Sequence, residues 1–272
     1  MTPSADLRKM LAEPESGPPM PALFIGHGNP MNAIEDNEFS RAWNAVALRL
    51  PKPRAVLCVS AHWESDGSRM TAGGRPRTIH DFSGFPAELG RVQYPAPGSP
   101  TLIGEARATA PAQSLAPDLE WGLDHGAWAV LRRMYPAANI PVVQLSLDRR
   151  KDPAAHYQLG RELRDLRRRG VLIVGSGNIV HNLRTLRWEN SAFDWASEFD
   201  QRVRDRILAG DHAALVRYES LGATAALAVP TREHYLPLLY VLAAAGESEP
   251  VSFFAEKVTL GSLSMRSVQI GG

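Results

Sequence analysis

Thiol chemistry is nearly absent from this sequence: Cys58 is its one cysteine in 272 residues. A lone cysteine forms no internal disulfide and no paired-cysteine zinc site. Set in the apolar run Ala55-Val56-Leu57-Cys58-Val59, it reads as a small buried hydrophobe. An excess of one charge is missing as well. The chain carries 30 basic and 29 acidic side chains, a net +1. That balance argues against nucleic acid as the main partner, because phosphates call for a clustered positive face. The densest basic run, Arg164 to Arg169, reads as a solvated helix face. No apolar stretch reaches the ~20 residues of a membrane span, and no signal-peptide core opens the sequence. These absences predict a protein of the reducing cytoplasm, with neither membrane nor nucleic acid as partner. There is also no phosphate-binding loop and no Gly-x-Ser-x-Gly nucleophile elbow. Gly175-Ser176-Gly177-Asn178-Ile179-Val180 imitates a dinucleotide fingerprint, but Val180 stands where the third small residue belongs. The segment reads as a turn that releases His181.

What is present is α/β patterning. Residues 1–20 are polar and Pro-rich and read as a mobile tail; residues 21–272 read as one catalytic α/β domain. Short apolar runs at 22–25, 55–59, 142–147 and 171–174 have the length and flanking glycines of buried strands. Helical stretches fall at 38–50, 101–110, 127–134 and 195–208. Asp152 and Pro153 are an N-cap and first helical residue. Leu159, Leu163 and Leu166 keep helical spacing, and Gly170 suits a left-handed C-cap. This strand–helix–strand unit predicts a sheet that is at least partly parallel. Thr231 is expected to cap a last helix running to about 245. Strands near 251–258 and 263–270, with a turn at Gly261, are expected as an antiparallel pair. The fold class is therefore a single domain with a mixed, mostly parallel sheet flanked by helices. Residues 73–100, rich in Gly, Pro and aromatics, form a long loop of the kind that usually serves function.

Three of the eight histidines fall at strand ends. His27 follows the first strand, His62 the second and His181 the fourth. Ligands of open α/β sheets bind beyond the carboxyl ends of the strands, and neutral imidazole suits zinc, iron, copper and nickel. A single strand-end histidine is more often a hydrogen-bonded loop residue; His27 and His62 together favour a metal site. His156 and His212 lie on predicted helix surfaces and are assigned no role. His125 opens a predicted helix, as a capping-region or acid–base group. His234, beside Glu233, lies in a first helical turn. Either His125 or His234 can complete a metal site, and a facial triad of two histidines and a carboxylate would favour Glu233.

Several segments occur together in order: Gly26-His27-Gly28-Asn29-Pro30, Ser60-Ala61-His62-Trp63, His80-Asp81-Phe82-Ser83-Gly84-Phe85-Pro86, Tyr94-Pro95-Ala96-Pro97-Gly98, Leu123-Asp124-His125-Gly126, and Gly175-Ser176-Gly177 with His181-Asn182. With this set the sequence resembles the 4,5-DOPA extradiol dioxygenase family of class III ring-cleaving dioxygenases, over nearly all the chain after residue 20. The resemblance implies a non-haem iron(II) enzyme that inserts both atoms of dioxygen into a catechol. It implies His27, His62 and His234 as ligands of one divalent metal, with His234 taken over Glu233. His181 would be the acid–base residue and a possible fourth contact of the ion without substrate. His125 would line the catechol pocket and donate a hydrogen bond to oxygen or substrate. His80, Phe82 and Tyr94 are further candidates to line that pocket. His181 is followed by Asn182-Leu183, where plant members tend to have His-Pro and an acidic residue, a departure that bears on substrate. Iron(II) is expected for activity, and zinc(II) can occupy such a site, since it generally outcompetes iron(II) at nitrogen ligands. The expected partners are a small aromatic diol and dioxygen, with the protein a monomer or homo-oligomer. Two rival readings use the same residues: a zinc-dependent hydrolase, and a non-catalytic binding protein that keeps the pocket.

Overall fold

A computed structural model of the chain describes residues 18–110, 115–189, 191–246 and 248–272. Its strands are β1 (Ala22–Gly26), β2 (Ala55–Ser65), β3 (Arg69–Thr71), β4 (Ala116–Asp118), β5 (Val142–Asp148), β6 (Val171–Gly177), β7 (Val251–Phe254), β8 (Val258–Thr259), β9 (Leu263–Ser264) and β10 (Ser267–Ile270). Eight of them form one sheet in the order β4-β3-β5-β2-β6-β1-β10-β7, and β8 and β9 pair separately. The central strands β5, β2, β6 and β1 run parallel. β10 and β7 extend this core antiparallel on one edge, and on the other β3 meets β5 antiparallel. The crossover from β5 to β6 through the Pro153–Leu163 helix passes over β2, which lies between them.

Strand alternation explains why the apolar runs are continuous. Ala22, Phe24, Ala55, Leu57 and Val59 face one core, packed by Leu159, Phe199, Leu238 and Tyr240. Leu23, Ile25, Val56 and Cys58 face the other, with Trp43, Trp128 and Leu131. Strands covered on both faces need no polar alternation. Cys58 is fully buried, as its apolar setting implies.

Several expectations are corrected. The C-terminal antiparallel pair exists as β7 and β10, but neither strand has its expected length. Ala255, at φ 53, takes a left-handed conformation that ends β7, and Leu260 and Gly261 do the same at the intervening turn. The segment 175–177 is not a turn but the end of β6. The last helix starts at Leu236, with Pro237 in its first turn, and Thr231 caps nothing; its hydroxyl donates to Glu233. The tail expected over 1–20 falls outside the described residues as far as residue 17. Met20 is buried, with its carbonyl taking a hydrogen bond from Arg167.

Arg164 to Arg169 is not wholly a solvated face. The chain tightens there into a 3-10 helix ended by Gly170 at φ 74, and Arg167 turns inward, 2% exposed. Its guanidinium forms a two-point ion pair with Glu249 and also donates to the Ala244 carbonyl.

His156 is likewise not on a surface. It is 1% exposed, and its Nδ1 meets the Tyr240 hydroxyl at 2.9 Å. Burial, helped by Arg232, lowers its pKa from 6.5 to about 4. The unfolded chain therefore binds a proton that the folded chain refuses between those values. Stability from this residue is complete above pH 6.5 and declines as pH falls toward 4. At 1.36 kcal/mol per pK unit, the cost approaches roughly 3 kcal/mol. Urea titrations at pH 7 and pH 4.5 should show His156→Gln losing about 2 kcal/mol less than wild type over that interval. Equal losses would mean that His156 does not resist protonation in the fold.

Candidate metal and acid–base site

Carboxyl ends of adjacent strands bring the histidines together. His27 leaves β1, His62 lies near the end of β2 within a register shift between Val59 and Glu64, and His181 follows β6. His234 arrives from the irregular segment before the last helix. β6 admits that segment because it ends in glycine: a Cβ on Gly177 would sit 2.1 Å from the His234 carbonyl oxygen. Gly126 plays the same part at the other side, where a Cβ would lie 2.9 Å from the His62 ring.

The resulting cluster is compact. Ring centroids of His27 and His62 are 5.0 Å apart, those of His27 and His234 5.3 Å, and those of His62 and His234 4.9 Å. His181 stacks on His234 at 3.4 Å with a 6° interplanar angle, and the His125 and His62 centroids are 3.9 Å apart. One ligand atom from each of His27, His62 and His234 lies within 4.8 Å of the others.

Hydrogen bonds decide which nitrogens point inward. Ser176 Oγ donates to the Gly126 carbonyl at 2.5 Å, so it accepts at 2.9 Å from Nδ1–H of His27. His234 donates Nδ1–H to Glu233 at 3.0 Å. His62 directs Nδ1 toward Asp81 at 3.7 Å. His27 and His234 therefore each present an Nε2 lone pair to the centre, and His62 turns its Nε2 the same way. The Nε2 atoms of His27 and His62 lie 3.2 Å apart. The third, on His234, is buried with no hydrogen-bond partner. Buried polar atoms are almost always satisfied, and converging lone pairs repel unless a cation lies between them. Carboxylate and hydroxyl groups behind ligating imidazoles are the usual outer support of a metal site. The donor set fits a divalent metal.

Electrostatics agree. Burial, then the neighbouring histidines, hold His27 and His234 well below the ordinary histidine range. Burial and His125 bring His62 down to about 3, against the pull of Asp81. Burial lowers His181 to about 4, although Glu233 opposes the shift. All four are neutral at neutral pH, the form that binds a metal or accepts a proton.

Of the other expected residues, Phe82 stands 5.6 Å from the His125 ring and 5.4 Å from Phe85. His80 donates Nε2–H to the Val92 carbonyl and packs on Phe82 and Trp128, so it anchors the loop. Tyr94 is not brought to the cluster; it is buried, and its hydroxyl donates to the Tyr135 carbonyl. Glu233 accepts Nδ1–H of His234, and with Glu64, Tyr218 and Arg232 it lines a cavity of about 700 Å³. His212 lies elsewhere, half-buried against the Tyr157 hydroxyl.

Asp81 carried no assigned role in the sequence. It takes the His125 amide and ring Nδ1–H on its two oxygens. Burial alone would push its carboxyl up, but the His125 contacts bring it below the usual range. Beneath it lies Asp124, fully buried, which caps the His125–Met134 helix and receives the Ser60 hydroxyl and the Gln144 amide. Burial and Asp81 raise Asp124 to about 6. Its position directly before His125 in the sequence was the only signal for it.

Residues 20–268 match the family model described as the catalytic LigB subunit of aromatic ring-opening dioxygenase. The chain belongs to the LigB family. Its relatives in that family include 4,5-DOPA dioxygenase extradiol of Escherichia coli (strain K12), 48% identical over 259 residues that cover 93% of this chain and 95% of the relative. The protein of the same name from Beta vulgaris is 40% identical over 234 residues, covering 83% and 87%. The crystal structure of an uncharacterized protein from Escherichia coli K12 superposes with a TM-score of 0.82 at 44% identity, covering 93% of this chain and all of the other. This LigB-family chain is a ring-cleaving dioxygenase with a single α/β domain, and its substrates are an aromatic compound and dioxygen. Among its described residues no helix is long and apolar enough to cross a membrane.

Proposed function

We propose that residues 21–272 form one catalytic unit, a metal-dependent extradiol dioxygenase that opens the ring of a catechol-type, DOPA-like aromatic. His27, His62 and His234 hold one divalent ion, iron(II) for turnover, and zinc(II) can take its place. The observation that carries this reading is the convergence of ring nitrogens from three histidines, one of them, Nε2 of His234, buried and without a hydrogen-bond partner among the described residues. The names of the relatives support the DOPA-like substrate.

An ion held by His27, His62 and His234 would supply a Lewis acid that lowers the pKa of a coordinated hydroxyl. The protein does the rest. Ser176, Glu233 and Asp81 fix the ring orientations of His27, His234 and His62. His181, neutral and stacked on His234, accepts the second catechol proton at a ring nitrogen, and nearby Glu233 favours the imidazolium so formed. Phe82 and Phe85 cover the approach on the His125 side and exclude water.

Protein loaded anaerobically with iron(II), then mixed with a catechol panel that includes DOPA, is expected to consume oxygen and give a yellow semialdehyde. An oxygen electrode and absorbance scan would check this. No uptake across the panel, with ester or amide hydrolysis by the zinc-loaded protein instead, would overturn the reading in favour of a hydrolase.

A further inference from the structure

We propose that Asp81 is a positioning residue that fixes the tautomer of His125, so that His125 faces the substrate as a hydrogen-bond acceptor rather than a donor. The inference rests on the dioxygenase reading for its catalytic consequence, but the tautomer itself does not. The carboxylate of Asp81 meets His125 twice. One oxygen takes the backbone N–H of His125 at 2.9 Å, and the other lies 2.9 Å from ring Nδ1. A carboxylate has no proton to give, so the ring must donate Nδ1–H. The proton is then absent from Nε2 in the neutral ring. No hydrogen bond to that Nε2 forms among the described residues, so it is free for a ligand.

The ring also lies where a substrate would meet it. Its centroid is 3.9 Å from that of His62 and 5.9 Å from that of His27, with Phe82 on another side at 5.6 Å. The side chain is held in a narrow setting. Asp124 caps the helix that His125 begins, and Gly126 is packed against His62 and Ser60. His125 cannot turn its ring to exchange its nitrogens without breaking the Nδ1–H bond to Asp81, while the backbone bond holds that carboxylate in place. A catechol hydroxyl facing this site would donate to Nε2. This reverses the direction expected of His125 from the family resemblance, where it donates.

Asp81→Asn tests the idea sharply. The backbone N–H of His125 has no alternative but the amide oxygen, which turns the amide NH2 toward Nδ1. Nδ1 must then accept, and its proton moves to Nε2. In zinc(II)-loaded, 15N-histidine-labelled protein, NMR should show His125 as the Nδ1–H tautomer in wild type and as Nε2–H in the variant. In iron(II)-loaded protein, kcat for DOPA or 4-methylcatechol should fall about 100-fold with little change in KM. Bound metal per chain is measured alongside, because Asp81 also faces Nδ1 of His62 at 3.7 Å; the fall in kcat is counted per bound metal, so that the part due to His125 is read separately. A proton on Nε2 in wild type, as the other tautomer or as the imidazolium, overturns the proposal even if the variant does not fold. A variant with the switched tautomer and undiminished kcat overturns the catalytic consequence. If wild type takes up no oxygen with any catechol, the dioxygenase reading fails, while the NMR result on the tautomer stands by itself.

Discussion

Replacing His234 by Ala is expected to remove both the metal and the activity. Three Nε2 atoms converge, and His234 supplies the one that is buried without any other partner. With two imidazoles left, an ion there would lose a third of its protein ligands. Metal catalysis contributes several kcal/mol, and each 1.36 kcal/mol is tenfold in rate. Turnover should therefore drop by more than about 10³-fold, and metal analysis after gel filtration should find the variant largely empty. Glu233→Gln provides the graded comparison. The amide still accepts Nδ1–H of His234 through its oxygen but no longer carries charge. A loss of about 10- to 100-fold in metal affinity or activity is the usual scale for such outer support. If Glu233→Gln empties the site while His234→Ala keeps it filled, the carboxylate is the ligand and the assignment is reversed.

The second large effect concerns His181. His181→Ala is expected to lower kcat by about 10²- to 10⁴-fold, the range for loss of a positioned acid–base group. Metal content should largely survive, because the three convergent nitrogens belong to other residues. The contrast with His234→Ala is the informative part: one variant loses the ion, the other keeps it and fails to turn over. The ring of His181 stacks on His234 at 3.4 Å, so His181→Phe is a useful second variant that retains the stack without the proton acceptor. Full activity in either variant would take His181 out of the mechanism. Loss of metal in both would make it a ligand instead.

Much of the site was legible because short-range sequence features place it. His27, His62 and His181 each come just after or near the end of an apolar run, and β1, β6 and β2 are neighbours in the sheet. Parallel strands that lie side by side end on the same edge, so residues over a hundred positions apart in the chain converge there. The ordered motifs pointed to His234 as well, yet its local setting was misread. Thr231 looked like a helix cap, but Pro237 delays the helix to Leu236 and leaves 231–235 irregular. That irregular backbone, packed at His234 against Gly177, is what brings His234 into the cluster.

His156 and Arg167 were misplaced for a related reason. Helical periodicity separates faces by hydrophobicity, and a lone histidine or arginine on a turn gives no sign that a partner waits inside. Tyr240 and Glu249, each about eighty residues away, are those partners.

By itself the sequence determined the sheet core, through strand alternation, and the identity of the histidines, through their order along the chain. Only the tertiary structure decided which nitrogen of each ring faces the centre. That choice depends on Ser176, Glu233 and Asp81, acceptors supplied by the fold. Imidazole has two nitrogens of nearly equal chemistry, and it is the neighbour at one of them that commits the other to metal or substrate.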